Sequence, residues 1–228
     1  MTTRNSKEDA NLSSVSIFRY QKCWNLGSFY TIQGVHVATC CSHGGQRQQT
    51  HNSIVHELNS ILHYCGKHTR IEDRYAFSST DPSCRLTPDI TIFNSGFAGK
   101  SKLHIDVSVA TPSFGGKIGH AGEMNFRAKS LKYKTISENS GSSFLPFILQ
   151  STGHICDDSK SLLKYLSKTA SSINRIPIKV LYNYFLKRLS LSLQRGISNS
   201  LTQRYAKINA HYPVHEDSSF HEDVVYNS

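Results

Sequence analysis

The sequence predicts an α/β fold, and three observations carry the prediction. Apolar residues recur at helical spacing over 50–65 and 123–138, and two further stretches open with helix-start signals. Short apolar or alternating runs lie between the first two of these stretches and again after the second. Clusters of Gly, Pro, Ser and Asn mark the boundaries. The resulting order is helix, three strands, helix, strand, two helices.

Residues 1–14 are polar and rich in Ser and Asn, too poor in apolar side chains to pack, and are expected to be unstructured. From Thr50, the residues Ile54, Val55, Leu58, Ile61 and Leu62 predict a helix over 50–65, with His51, Glu57 and Asn59 elsewhere on the wheel and Gly66 as its stop. Ile71, Asp73, Tyr75 and Phe77 alternate, which predicts a strand over 70–77 that Asp81-Pro82-Ser83 breaks. Strands over 89–93 and 103–109 form a hairpin with a long Gly/Ser-bearing loop, and Thr111-Pro112 begins a loop that leaves the sheet.

Met124, Ala128, Leu131 and Ile136 lie near one face of the second helix, 123–138, which Ser140-Gly141-Ser142 ends. The apolar run 144–149 reads as a strand whose Pro146 suits an edge or a bulge. An Asp-Asp-Ser signal opens a helix over 157–172, and Pro177 opens a last one reaching about Tyr205. Residues 211–228, with His215-Glu216-Asp217 and His221-Glu222-Asp223, read as a disordered acidic tail.

At 228 residues the chain can bury one real core, and its formal charge of +10 favours an anionic partner, nucleic acid first. It has no apolar run of about 18 residues and no apolar region after Met1, so a soluble, intracellular protein without a membrane association is expected. The six cysteines, without a secretory signal, read as reduced thiols, and Cys65, Cys84 and Cys156 as small buried hydrophobes.

Two acids carry the chemistry. Asp89 and Asp106 each sit inside an apolar strand, where an ionised carboxylate is costly unless it is paired or binds a metal. On successive strands they suggest a shared Mg²⁺; the alternative is that each marks a strand end. Glu57 offers a third carboxylate or is a solvated helix charge, and Asp73 is a weaker competitor.

Pro88-Asp89, Ile105-Asp106-Val107-Ser108-Val109 and the Lys129-to-Tyr133 stretch, in αβββαβ order, resemble the PD-(D/E)xK restriction-endonuclease-like superfamily. Gly44-Gly45, Thr50-His51-Asn52, 144–153 and Leu186-Lys187-Arg188-Leu189-Ser190 narrow this to the endonuclease region found at the C-terminal end of some non-LTR retrotransposon polyproteins. The resemblance implies a restriction-endonuclease-like αβββαβ core with a mixed sheet over 48–153 and a helical C-terminal extension over 154–210. It also implies Mg²⁺- or Mn²⁺-dependent cleavage of DNA, a nuclear location, and Asp89 and Asp106 as metal ligands.

The chain departs from the pattern at Ser108, where the strand lysine usually stands two residues after the second acid. Lys129 and Lys132 on the next helix are available instead, and Lys129 is favoured because it precedes Tyr133 by four residues. Residues 1–47 hold Cys23, His36, Cys40, Cys41 and His43, similar to a degenerate zinc knuckle whose first half lacks its cysteine pair; the alternative is a set of unligated thiols. Arg127, Lys132, Lys134, Lys187 and Arg188 are expected DNA-phosphate contacts. Two other functions stay open: a catalytically inactive DNA-binding remnant of a mobile element, and a zinc-stabilised interaction module with no DNA role.

Overall fold

A computed structural model describes residues 46–111 and 120–211. The elements are α1 (Gln46–Tyr64), β1 (His68–Ile71), β2 (Ile90–Phe93), a 3₁₀ turn (Phe97–Gly99), β3 (Lys102–Ala110), α2 (His120–Asn139), β4 (Ser143–Gln150), α3 (Asp157–Asn174) and α4 (Ile178–His211). The fold is α/β, with a four-stranded mixed sheet in the order β1-β2-β3-β4 and a helical C-terminal part. β1–β2 and β2–β3 pair antiparallel, and β3–β4 pair parallel through the crossover that contains α2. The expected zinc ligands Cys23, His36 and Cys40, and the 212–228 part of the expected tail, lie outside the described residues.

Strand alternation divides the sheet into two faces. Ile90, Ile92, Leu103, Ile105, Val107, Leu145, Phe147 and Leu149 pack against Ile54, Leu58 and Leu62 of α1, Leu162, Leu163 and Leu166 of α3, and Leu181, Phe185 and Leu189 of α4. Leu58 is wholly buried there, as are Ile105 and Phe147, and each such side chain stabilises the fold by roughly 1.5–3 kcal/mol. The opposite face, with His104, Asp106, Phe144 and Ile148, receives α2.

The expected strand over 70–77 ends at Ile71. Glu72 takes a left-handed backbone (φ 47°), and turns follow to Thr80. The alternation there is that of a folded-back loop. The Asp73 carboxylate accepts from the Tyr75 N–H and pairs with Arg70, and Phe77 turns back to bury its ring against His104 at 4.6 Å. Pro146 stands on the edge strand β4, and its missing N–H interrupts no ladder bond. Ile148, of the same parity, directs its N–H off the sheet to Ser159 Oγ at 2.9 Å.

The buried face of α2 differs from the expected one. Met124 and Leu131 are exposed (55% and 76%), while Gly122, Tyr133 and Ser137 are buried. Gly122 is required by close approach: a Cβ there would lie 2.7 Å from Cys156 Sγ. Cys65 and Cys156 are buried as expected, but Cys84 is only partly so.

Candidate active site

Asp89 and Asp106 come together because of strand register. Ile90 of β2 pairs with Ile105 of β3, so the residue before β2 falls opposite the residue after Ile105. The Val107 N–H donates to Asp89 Oδ2 at 2.6 Å, and the two carboxyl groups lie close enough to alter each other's proton affinity. Asp89 is also anchored through its main chain, whose carbonyl accepts from the Glu72 N–H at 2.9 Å.

Lys129 enters from α2, with its Nζ 2.5 Å from Asp106 Oδ2. One turn further on, Tyr133 is buried, stacks on Phe144 with ring centroids 4.0 Å apart, and donates from Oη to the Thr87 carbonyl at 3.2 Å. The Thr87 segment leads directly into Pro88-Asp89, so one residue fixes both the helix that carries the lysine and the chain that delivers the first acid. Burial pushes the Tyr133 phenol well above its ordinary range, and the two aspartates push it further, so the hydroxyl stays a donor.

The two carboxylates differ in proton affinity. Burial raises Asp106; Lys129 opposes this and Asp89 adds to it, leaving the carboxyl above the usual aspartate range. Burial works against the charge of Asp89 as well, but His51, the Val107 N–H and Asp106 together outweigh it, and its carboxyl sits below that range. The pair therefore divides into a more readily and a less readily ionised acid.

Sequence reasoning missed His51 as a site residue. Its Nε2 lies 3.2 Å from Asp89 Oδ1. Placed by sequence apart from the core face of α1, His51 precedes Leu58 by seven residues and so lies on that same stripe, and a polar residue at the end of an apolar stripe was the signal available. Glu57 instead forms an ion pair with Arg188 Nε of α4, and Arg188 also donates to Ser60 Oγ at 3.0 Å. Its partner on α4, not the aspartate pair, accounts for the Glu57 carboxylate.

The expected phosphate contacts separate by place. Lys132 is exposed one turn from Lys129 and lies over the Tyr133 ring; Arg127 and Lys134 border a groove on the other flank of α2, with Ser130, Ser143 and Phe144. Lys187 is exposed on α4, whereas Arg188 is held by Glu57. Ser108 is half-buried, two residues beyond Asp106 on the same strand face, and the nearby cation comes from α2.

No protein-family model matches the chain, and no curated protein matches it. Its chemistry is therefore read from the geometry. Among the described residues no three His, Cys, Asp or Glu side chains group as a metal cage, and none of the helices is long and apolar enough to cross a membrane. The donor set is two converging carboxylates beside a cation. Mg²⁺ typically takes one or two carboxylates and completes its shell with water and substrate phosphate, so these residues fit it.

Proposed function

We propose that the chain is a Mg²⁺-dependent DNA endonuclease of the PD-(D/E)xK restriction-endonuclease-like type, derived from a mobile element. The observation that carries this reading is the Lys129 ammonium at 2.5 Å from Asp106, which stands beside Asp89. Two acids at the central strands and a lysine from the helix that covers them form the minimal set for phosphodiester hydrolysis. Bound Mg²⁺ would supply charge neutralisation at the scissile phosphate and a more acidic water. Asp89 and Asp106 would hold the metal through oxygen, which requires Asp106 in its ionised form. Lys129 lies where it can orient the attacking water or stabilise the developing charge, the task the Ser108 position does not perform. The helical order, the mixed sheet and the parallel β3–β4 crossover agree with the αβββαβ arrangement of that superfamily.

DNA is the proposed substrate because the chain carries a formal charge of +10 and exposes Lys132 close to the site. The test is cleavage of plasmid DNA with Mg²⁺ or Mn²⁺ by the wild type and by Asp106→Ala, with DNA affinity measured alongside. The expected result is loss of product in the variant with affinity within about threefold of wild type, because phosphate contacts on other residues dominate binding. Salt-sensitive binding without any product from the wild type would instead identify an inactive DNA-binding remnant. Undiminished cleavage by Asp106→Ala would reject this site.

A further inference from the structure

His51 reaches Asp89 only if the first turns of α1 are held close to the sheet, and the contact at that end of the helix is unusual. Thr50 is buried (5% exposed) against Gly196 of α4. A Cβ at Gly196 would lie 2.6 Å from Thr50 Cγ2, 2.8 Å from its Oγ1 and 2.9 Å from its Cβ. The obstruction thus includes the root of the threonine side chain, and rotation of its tip would not relieve it. Further along, α1 is tied to α4 by Glu57–Arg188 and by Tyr64 on Phe185 (ring centroids 6.0 Å), roughly two and four turns from Thr50. Neither contact lies near His51.

We propose that Gly196 and Thr50 are positioning residues: their close helix crossing seats His51 against Asp89 and so orients the first metal-binding carboxylate. This rests on the nuclease reading above. Any side chain at position 196 must push the start of α1 outward by about 1 Å to reach an ordinary van der Waals contact. The His51 Nε2 to Asp89 Oδ1 separation is 3.2 Å, so an added displacement of about 1 Å takes it beyond hydrogen-bonding distance. Asp89 then keeps the Val107 N–H on Oδ2 but loses the His51 contact on Oδ1. The C-terminal helix, which supplies no residue to the aspartate pair, thereby sets the geometry of that pair.

The experiment uses the full chain as wild type, Gly196→Ala, Thr50→Gly with Gly196→Ala, His51→Ala and His51→Gln. Two readouts are taken: the imidazole NMR signals of His51 in metal-free protein, and Mn²⁺ affinity by electron paramagnetic resonance titration. Gly196→Ala is expected to shift the His51 signals and to weaken Mn²⁺ binding about tenfold, as His51→Ala does. Alanine raises helix propensity at position 196, so a role limited to helix stability predicts no such loss. Removing the Thr50 side chain in the same protein makes room for the new Cβ and is expected to restore both readouts. His51→Gln, which keeps a donor, should retain most of the affinity.

Wild-type His51 signals in Gly196→Ala overturn the proposal, as does a loss of fold or affinity that Thr50→Gly does not reverse. A wild type that binds no Mn²⁺ sinks the nuclease reading instead, while the metal-free imidazole signals still decide the positioning role.

Discussion

The Lys129 ammonium and the raised Asp106 carboxyl make opposite demands on one proton, and this sets what single substitutions should do. Lys129 lowers the proton affinity of Asp106, which burial has raised. Lys129→Met keeps the chain length and removes the charge, so the Asp106 carboxyl should move further upward. Metal and proton compete for the same oxygens. Mn²⁺ affinity of the wild type should therefore rise with pH as Asp106 ionises, above the usual aspartate range, and in Lys129→Met that rise should shift to higher pH. Calorimetric titrations at several pH values check both, and a pH-independent wild-type affinity would remove Asp106 from the donor set. On the proposed nuclease reading, the same variant should lose about 10²–10³-fold in cleavage rate, the usual effect of deleting one preorganised charge-stabilising donor.

At the scale of the element, α2 shows where sequence pattern reads well and where it fails. Its existence was legible, with bounds within three residues (123–138 expected, His120–Asn139 found), as were α1, β3 and an edge-or-bulge place for Pro146, because hydrophobic period and turn residues encode them directly. Its orientation was not legible. Met124, Ala128 and Leu131 made the best apolar stripe, yet the face turned to the sheet carries Lys129, Tyr133 and Ser137. A helix that must deliver a cation to two buried acids places polar residues inward, and hydrophobic periodicity then points to the wrong side. The same cause hid His51, whose value depends on Asp89, a residue 38 positions away in the chain. Leu131→Ser should consequently change unfolding free energy by less than about 0.5 kcal/mol. Tyr133→Ala removes a stacked, hydrogen-bonded ring and should cost about 3–5 kcal/mol. Urea melts of the two variants compare the faces directly, and equal losses would mean that α2 is turned differently.

At the scale of the whole molecule, the sheet separates a predominantly apolar layer, under α1, α3 and α4, from a mixed layer under α2. The mixed layer ties global stability to pH through His104. Its ring is 1% exposed, shares a hydrogen bond with Thr91 through Nδ1 at 3.0 Å and packs on Phe77; its Nε2 has no partner among the described residues. Burial pushes its pKa down to about 4 from an ordinary 6.5. The unfolded chain therefore binds a proton that the fold refuses. Stability from this residue is complete above about pH 6.5 and is lost as pH falls toward about 4, on the order of 3 kcal/mol across that window. His104→Gln can keep a hydrogen bond to Thr91 without acquiring charge. Its unfolding free energy should fall less steeply than that of the wild type between pH 6.5 and 4.5, a comparison that cancels the acid response of Asp89 and the other carboxylates. Parallel slopes in denaturant melts would show that His104 takes up its proton without opening the layer beneath α2.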